Sequence, residues 1–140
     1  MRTFNTGKIT FKYPSSWEVE KANILSNPDC IATLSKGNDN LINAVMFPTA
    51  TDLENYKLFM EDSITDDGGV ILSSNFIEIA GISAIKLHAN MDTPDLNFDI
   101  HTYVFIEDKM IYIFELRTLD ISGKSEREFE DMISTFEILK

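Results

Sequence analysis

The residues with most scope for chemistry are the two histidines. His88 and His101 lie equally far, in sequence, from the centre of Thr93-Pro94-Asp95-Leu96. That tetrapeptide reads as a turn, because proline presets φ for one. If the flanking segments pair antiparallel across it, the two imidazoles stand directly opposite each other on one face. Opposed residues in such a pair have Cβ atoms about 4.5–5.5 Å apart. At that spacing His88 and His101 suit a shared transition metal, with Asp99 or Asn90 beside them. They also suit mutual repulsion when both are protonated. The simpler reading is a pair of polar rings at a sheet margin, stacked or bonded to neighbours, since two ligands without a clear third rarely define a site.

Other constellations are thinner. Gly123-Lys124-Ser125 resembles the end of a phosphate loop, but Thr118 stands where that motif needs its first glycine. Ser125 serves better as a helix cap. There is no Gly-x-Ser-x-Gly elbow, His-Glu-x-x-His pair or Cys-x-x-Cys motif in the sequence. Two acidic groups, Glu61/Asp62/Asp66/Asp67 and Asp92/Asp95/Asp99, lack the alternating oxygen ligands and distal glutamate of a calcium loop, and read as solvated helix and turn residues. Leu58 falls about 140° around its helix from Leu53, off the apolar stripe. With Glu54, Glu61 and Asp62 it forms a candidate partner surface. No catalytic residue and no cofactor are expected.

Charge narrows the partners. The formal net charge is −11 over 140 residues, and no basic stripe occurs. Phosphate backbones and anionic membranes need clustered Lys and Arg, so nucleic acid is excluded as the expected partner and a protein is favoured. No apolar run approaches the roughly 20 residues that span a bilayer. The chain opens without an apolar signal region and contains no Asn-x-Ser/Thr sequon. A cytoplasmic setting is therefore expected unless a signal segment has been removed. The single cysteine, Cys30, cannot form an internal bridge, and its apolar neighbours predict a buried structural thiol.

The elements that position these residues follow from periodicity. ITFKYP, WEVE, CIATLSK and INAVMF alternate as strands, with a turn at Tyr13-Pro14-Ser15-Ser16 and another at Gly37-Asn38-Asp39-Asn40. Thr51-Asp52-Leu53-Glu54 matches a capping box, and Leu53, Tyr56, Met60 and Ile64 then follow at helical spacing. Gly68-Gly69 stops this helix, and Asp66 and Asp67 are expected beyond its last turn, because a carboxylate opposes the negative end of the helix dipole. VILSSNFIEI, ISAIKLHAN, FDIHTYVFIE and MIYIFELRTL are four strands joined by turns at Ala80-Gly81, Thr93–Leu96 and Asp108-Lys109. Ser125-Glu126-Arg127-Glu128 is a second capping box, ahead of Phe129, Met132, Ile133 and Phe136.

Tight hairpins make these strands antiparallel. One face pairs Ile85 with Val104, Leu87 with Thr102 and Ala89 with Ile100. The other pairs Lys86 with Tyr103, His88 with His101 and Asn90 with Asp99, and gains Tyr112 opposite Phe105 and Phe114 opposite Tyr103. A sheet with one wet side should be polar there, and this second face carries aromatics instead, which predicts helices on both faces. Trp17, Leu53, Met60, Ile85, Leu87, Val104, Ile113, Phe129, Ile133 and Phe136 should be largely buried.

The opening ITFKYPSSWEVEK, the hairpin AGISAIKL and the closing ISTFEI resemble the corresponding parts of PsbP-like domains. That resemblance implies an α+β fold: an antiparallel β-sheet of six to seven strands with helices on both faces, shared with a Ran-binding nuclear import factor. It also implies an accessory or protein-binding role without catalysis, carried by one domain over residues 1–140. The chain begins almost at its first strand, where PsbP carries an N-terminal extension, so a photosystem role is not implied. The competing expectation is a small-molecule or divalent-metal-binding protein, extending to a weak hydrolase, with His88, His101 and Asp99 as its metal ligands.

Overall fold

The computed structural model describes residues 1–21 and 29–139. Ten strands and two helices are present among them. The larger sheet has seven strands. In spatial order they are β3 (Glu18–Lys21), β4 (Cys30–Lys36), β5 (Asn40–Pro48), β9 (Met110–Thr118), β8 (Asn97–Glu107), β7 (Ile82–Asp92) and β6 (Gly69–Ile79), all paired antiparallel. A smaller sheet joins β1 (Arg2–Asn5), β2 (Ile9–Tyr13) and β10 (Glu137–Ile138). Helix α1 (Leu53–Asp66) connects β5 to β6, and α2 (Lys124–Ser134) follows β9.

The hairpin register matches the expectation from turn chemistry. Ile85 pairs with Val104, Leu87 with Thr102, His88 with His101, and Asn90 with Asp99. Tyr103 faces Phe114, and Phe105 faces Tyr112. The turn Asp108-Lys109 has φ of 51° and 63°, and Ala80-Gly81 has 52° and 81°. Positive φ at both central residues is the twist that a two-residue hairpin needs.

The two faces of the large sheet bury separate cores. On one, Tyr103, Phe105, Tyr112 and Phe114 pack under α2 and the small sheet, through Phe129, Met132, Ile133, Phe136, Phe4 and Phe11. Phe136 lies against Phe105 and Phe114, with ring centroids 5.0 Å from each. On the other, Ile85, Leu87, Val104 and Ile111 pack under α1 through Met60, with Leu53, Tyr56 and Ile64 half-buried around it. Both faces are thus covered, and the α+β sandwich follows from the alternation. Of the residues expected in the core, Leu53 and Ile113 are only half-buried. Leu53 opens the first turn of α1, and Ile113 lies on the part of the sheet that α1 leaves uncovered.

Local chemistry differs from the sequence reading at the helix ends. Asp52, not Thr51, caps α1: its carboxylate accepts the Asn55 N–H at 2.8 Å. Asp66 closes the last turn of α1 and Asp67 is its C-cap, so two carboxylates sit at the negative end after all. Gly68, at φ 87°, makes the turn away from the helix. The second capping box does not form. The N-cap of α2 is Gly123, with no side-chain cap of its own, and the cap is supplied by Asp120. Its carboxylate accepts the Ser125 N–H at 3.0 Å and the Ser122 N–H at 2.9 Å. The Pro14 turn is displaced by one residue, with the Trp17 N–H donating to the Pro14 carbonyl.

Glu128 is used elsewhere. It accepts from Trp17 Nε1 at 3.0 Å and from Lys36 Nζ at 2.6 Å, tying α2 to the start of the chain and to β4. Trp17 is fully buried, so its indole N–H requires this partner. No described helix is long and apolar enough to cross a membrane.

Candidate functional site

β7 and β8 are held in register by the turn Thr93–Leu96, which closes on itself through both backbone bonds between Thr93 and Leu96. This register puts His88 and His101 on the α2 side of the sheet with their rings stacked, centroids 4.1 Å apart and planes 19° from parallel. His101 is buried, 6% exposed, because α2 crosses above it, whereas His88 lies nearer the margin and is half-buried. Asp99, two residues before His101, comes to the same face. Its Oδ2 is 3.2 Å from His88 Nε2, and its Oδ1 accepts from the Asn90 amide at 2.7 Å. From α2, Glu126 approaches His101 Nδ1 at 3.7 Å. Glu130, one turn on, pairs with Lys86 at 3.0 Å.

The electrostatics follow from this placement. Burial, and then the neighbouring His88, push the His101 imidazole below the ordinary histidine value, against Glu126, Asp99 and Glu130, which act in the opposite sense. Burial works against ionisation of Asp99, yet the Asn90 amide and His88 outweigh it and hold the carboxyl below its usual range. Lys86 is raised, chiefly by its hydrogen bond to Glu130. One ligand atom each from His88, Asp99 and His101 lies within 4.8 Å of the other two. The three residues expected from the sequence are therefore brought together.

The remaining candidates separate. Asp92 and Asp95 are exposed in and beside the turn and do not join Asp99 in that cluster. Gly123-Lys124-Ser125 offers no anion site, since the Asp120 carboxylate already occupies the start of α2. Hydrogen bonds, first from the Ser122 hydroxyl and then from the Ser125 N–H, hold that carboxyl far below its ordinary value. Cys30 is half-buried rather than enclosed; it faces an open depression with Asn43, Val45, Ile113 and Glu115, on the α1 side of the sheet. A cleft of about 220 Å³ lies among Asp39, Leu41, Leu96, Phe98 and Arg117, and no histidine lines it.

On α1, Glu54, Leu58 and Asp62 are exposed and Glu61 is half-buried. Leu58 is 61% exposed. Next to it, Lys57 pairs with Glu61 at 3.1 Å and holds its ammonium 5.5 Å from the centre of the Phe76 ring. Phe76, on β6, is itself 53% exposed. The helix flank and β6 thus form one surface, in which Phe76 is a member that sequence reasoning missed. Its only signal was an aromatic in a strand pattern. Beyond β6 no further strand pairs with the sheet among the described residues.

The fold defined by these elements is the PsbP-like one. In comparisons of structure, the chain is similar to the cyanobacterial PsbP protein of Synechocystis sp. PCC 6803, with a TM-score of 0.71 and 12% identity over 98% of this chain and 90% of that one. It is similar to LpqN of Mycobacterium tuberculosis, a protein involved in cell envelope biogenesis, with a TM-score of 0.69 and 13% identity over 94% and 83% of the two chains. A Pseudomonas aeruginosa protein of unknown function aligns with a TM-score of 0.60 and 13% identity over 96% and 94%. At these identities the likeness is one of fold alone. No family model matches the chain, and no curated protein matches it in sequence.

Proposed function

We propose that the chain, as a single domain over residues 1–140, is a non-catalytic accessory domain that binds a protein partner along the flank shared by α1 and β6. The observation that carries this reading is the exposure of Leu58 on α1 and of Phe76 on β6, with Lys57, the residue before Leu58, holding its ammonium over the Phe76 ring, and with Glu54, Glu61 and Asp62 on the same helix. Exposed aromatic and aliphatic groups are ordinary singly. Gathered at the margin of a sheet, they mark a docking surface. β6 adds a row of backbone groups facing outward at the end of the seven-stranded order, which is where an extended segment can add as a further strand.

The partner suited to this flank is an extended protein segment with basic residues around an apolar anchor. The acidic helix face attracts its charges, and Leu58 and Phe76 receive the anchor. With a net charge of −11, such an encounter is steered over a distance and weakens with salt. A cytoplasmic setting belongs to the same proposal, supported by a lone cysteine that needs no oxidising compartment.

The test is photo-crosslinking in the native host from position 76, with position 43, in the open depression beside Cys30, as control. Proteins captured from position 76 alone are then purified and titrated with the wild-type chain and with Phe76→Asp. The proposal expects a defined partner whose affinity falls at least about tenfold in the variant, equivalent to about 1.4 kcal/mol. Equal capture from both positions, or unchanged affinity in Phe76→Asp, contradicts it.

A further inference from the structure

We infer that His88, His101 and Asp99 form a binding site for a borderline divalent transition cation, of the zinc, nickel or copper type, separate from the α1–β6 flank. Two imidazoles and one carboxylate are the donor set that selects such ions over magnesium and calcium, which require oxygen ligands in larger number. The ligand atoms already lie within 4.8 Å of one another. A tetrahedral ion with bonds of about 2.0–2.2 Å needs them roughly 3.3 Å apart, so a contraction of about 1.5 Å at most closes the site.

The residues that must move are those free to do so. His101 is held beneath α2, but His88 and Asp99 are half-buried at the sheet margin. In the metal-free geometry the two rings lie face to face, and His88 Nε2 meets Asp99 Oδ2 at 3.2 Å. Binding swings the His88 ring out of the stack, so that its lone pair and that of His101 point at one ion. Asp99 then exchanges its hydrogen bond to His88 for a bond to the ion.

The surroundings are built for this. The Asn90 amide fixes the second oxygen of Asp99 at 2.7 Å, which orients the carboxylate. Glu126 lies 3.7 Å from His101 Nδ1 in the metal-free geometry, and a small approach makes it the acceptor that orients a metal-bound imidazole. Lys86, on the same face of β7, is paired with Glu130 and so opposes an incoming cation little. Three protein ligands leave at least one coordination position for water or for a donor from another molecule.

The experiment is titration of the full, untagged, chelator-stripped chain with zinc ions. Calorimetry gives the affinity, and two-dimensional NMR follows the two imidazoles. The expected result is one ion per chain with both rings shifting by equimolar zinc. His88→Gln and Asp99→Asn each weaken binding at least about tenfold, and Glu126→Gln roughly 10–100-fold. Asp95→Asn, which removes the same charge from the exposed turn nearby, leaves affinity unchanged, and millimolar calcium does not displace the zinc. If neither ring shifts at equimolar zinc, the inference is overturned. It is equally overturned if Asp95→Asn weakens binding as much as Asp99→Asn, since the ion is then held by general acidity.

Discussion

Glu128 links three parts of the chain through one carboxylate, and its charge is tied to the integrity of the fold. Burial opposes its ionisation, but hydrogen bonds from Lys36 and from Trp17 outweigh that and hold it below the ordinary glutamate value, with Lys124 adding attraction. A carboxyl depressed in the folded state contributes stability that is complete above its unfolded value, about pH 4.3. That contribution is lost as pH falls through the lower, folded value. Glu128→Gln is therefore expected to be less stable than wild type at pH 7 and to lose less of its stability on acidification. Trp17, the sole tryptophan, reports both effects by its fluorescence during denaturant unfolding. Identical acid sensitivity in the two proteins would contradict the assignment. This role was not legible in the sequence, where Glu128 fits a capping box three residues after Ser125. The tertiary contact to Trp17 decides otherwise, and spacing along the chain cannot reveal it.

At the scale of elements, the hairpins were the most legible part. Alternation of period two keeps Ile85, Leu87 and Val104 on one face, and the turn residues select the register among those that do. The pairing of His88 with His101 came with that register. What local pattern could not supply were elements stabilised by distant partners. Two-residue β10 pairs with β2, on the edge opposite β1, across more than a hundred residues of sequence. The exposure of Phe76 was hidden for a related reason, because it depends on β6 ending the sheet. Phe136 follows α2 rather than lying within it, yet is buried against Phe105, Tyr112 and Phe114. Its truncation to alanine removes most of an aromatic side chain from a packed core, and Phe136→Ala is expected to cost about 3–5 kcal/mol in denaturant unfolding. A loss below about 1 kcal/mol would show that this closing segment does not dock as described.

At the scale of the whole molecule, two apolar layers on opposite faces of one sheet supply stability without a ligand. A domain of this length buries roughly two thirds of the surface of its unfolded chain. The chain is thus expected to remain folded in EDTA, with a cooperative thermal transition followed by circular dichroism. Added zinc raises the midpoint only as binding to the folded state requires. A non-cooperative, expanded state on chelation would mean that the fold itself depends on a metal. Docking on the α1–β6 flank is read from hydrogen–deuterium exchange on the complex with the captured partner. Docking there slows exchange of backbone amides in β6 and on α1 around Leu58, with β4 and β5 unchanged. Protection confined to β4, β5 and β9, with β6 exchanging as in the free chain, would contradict it.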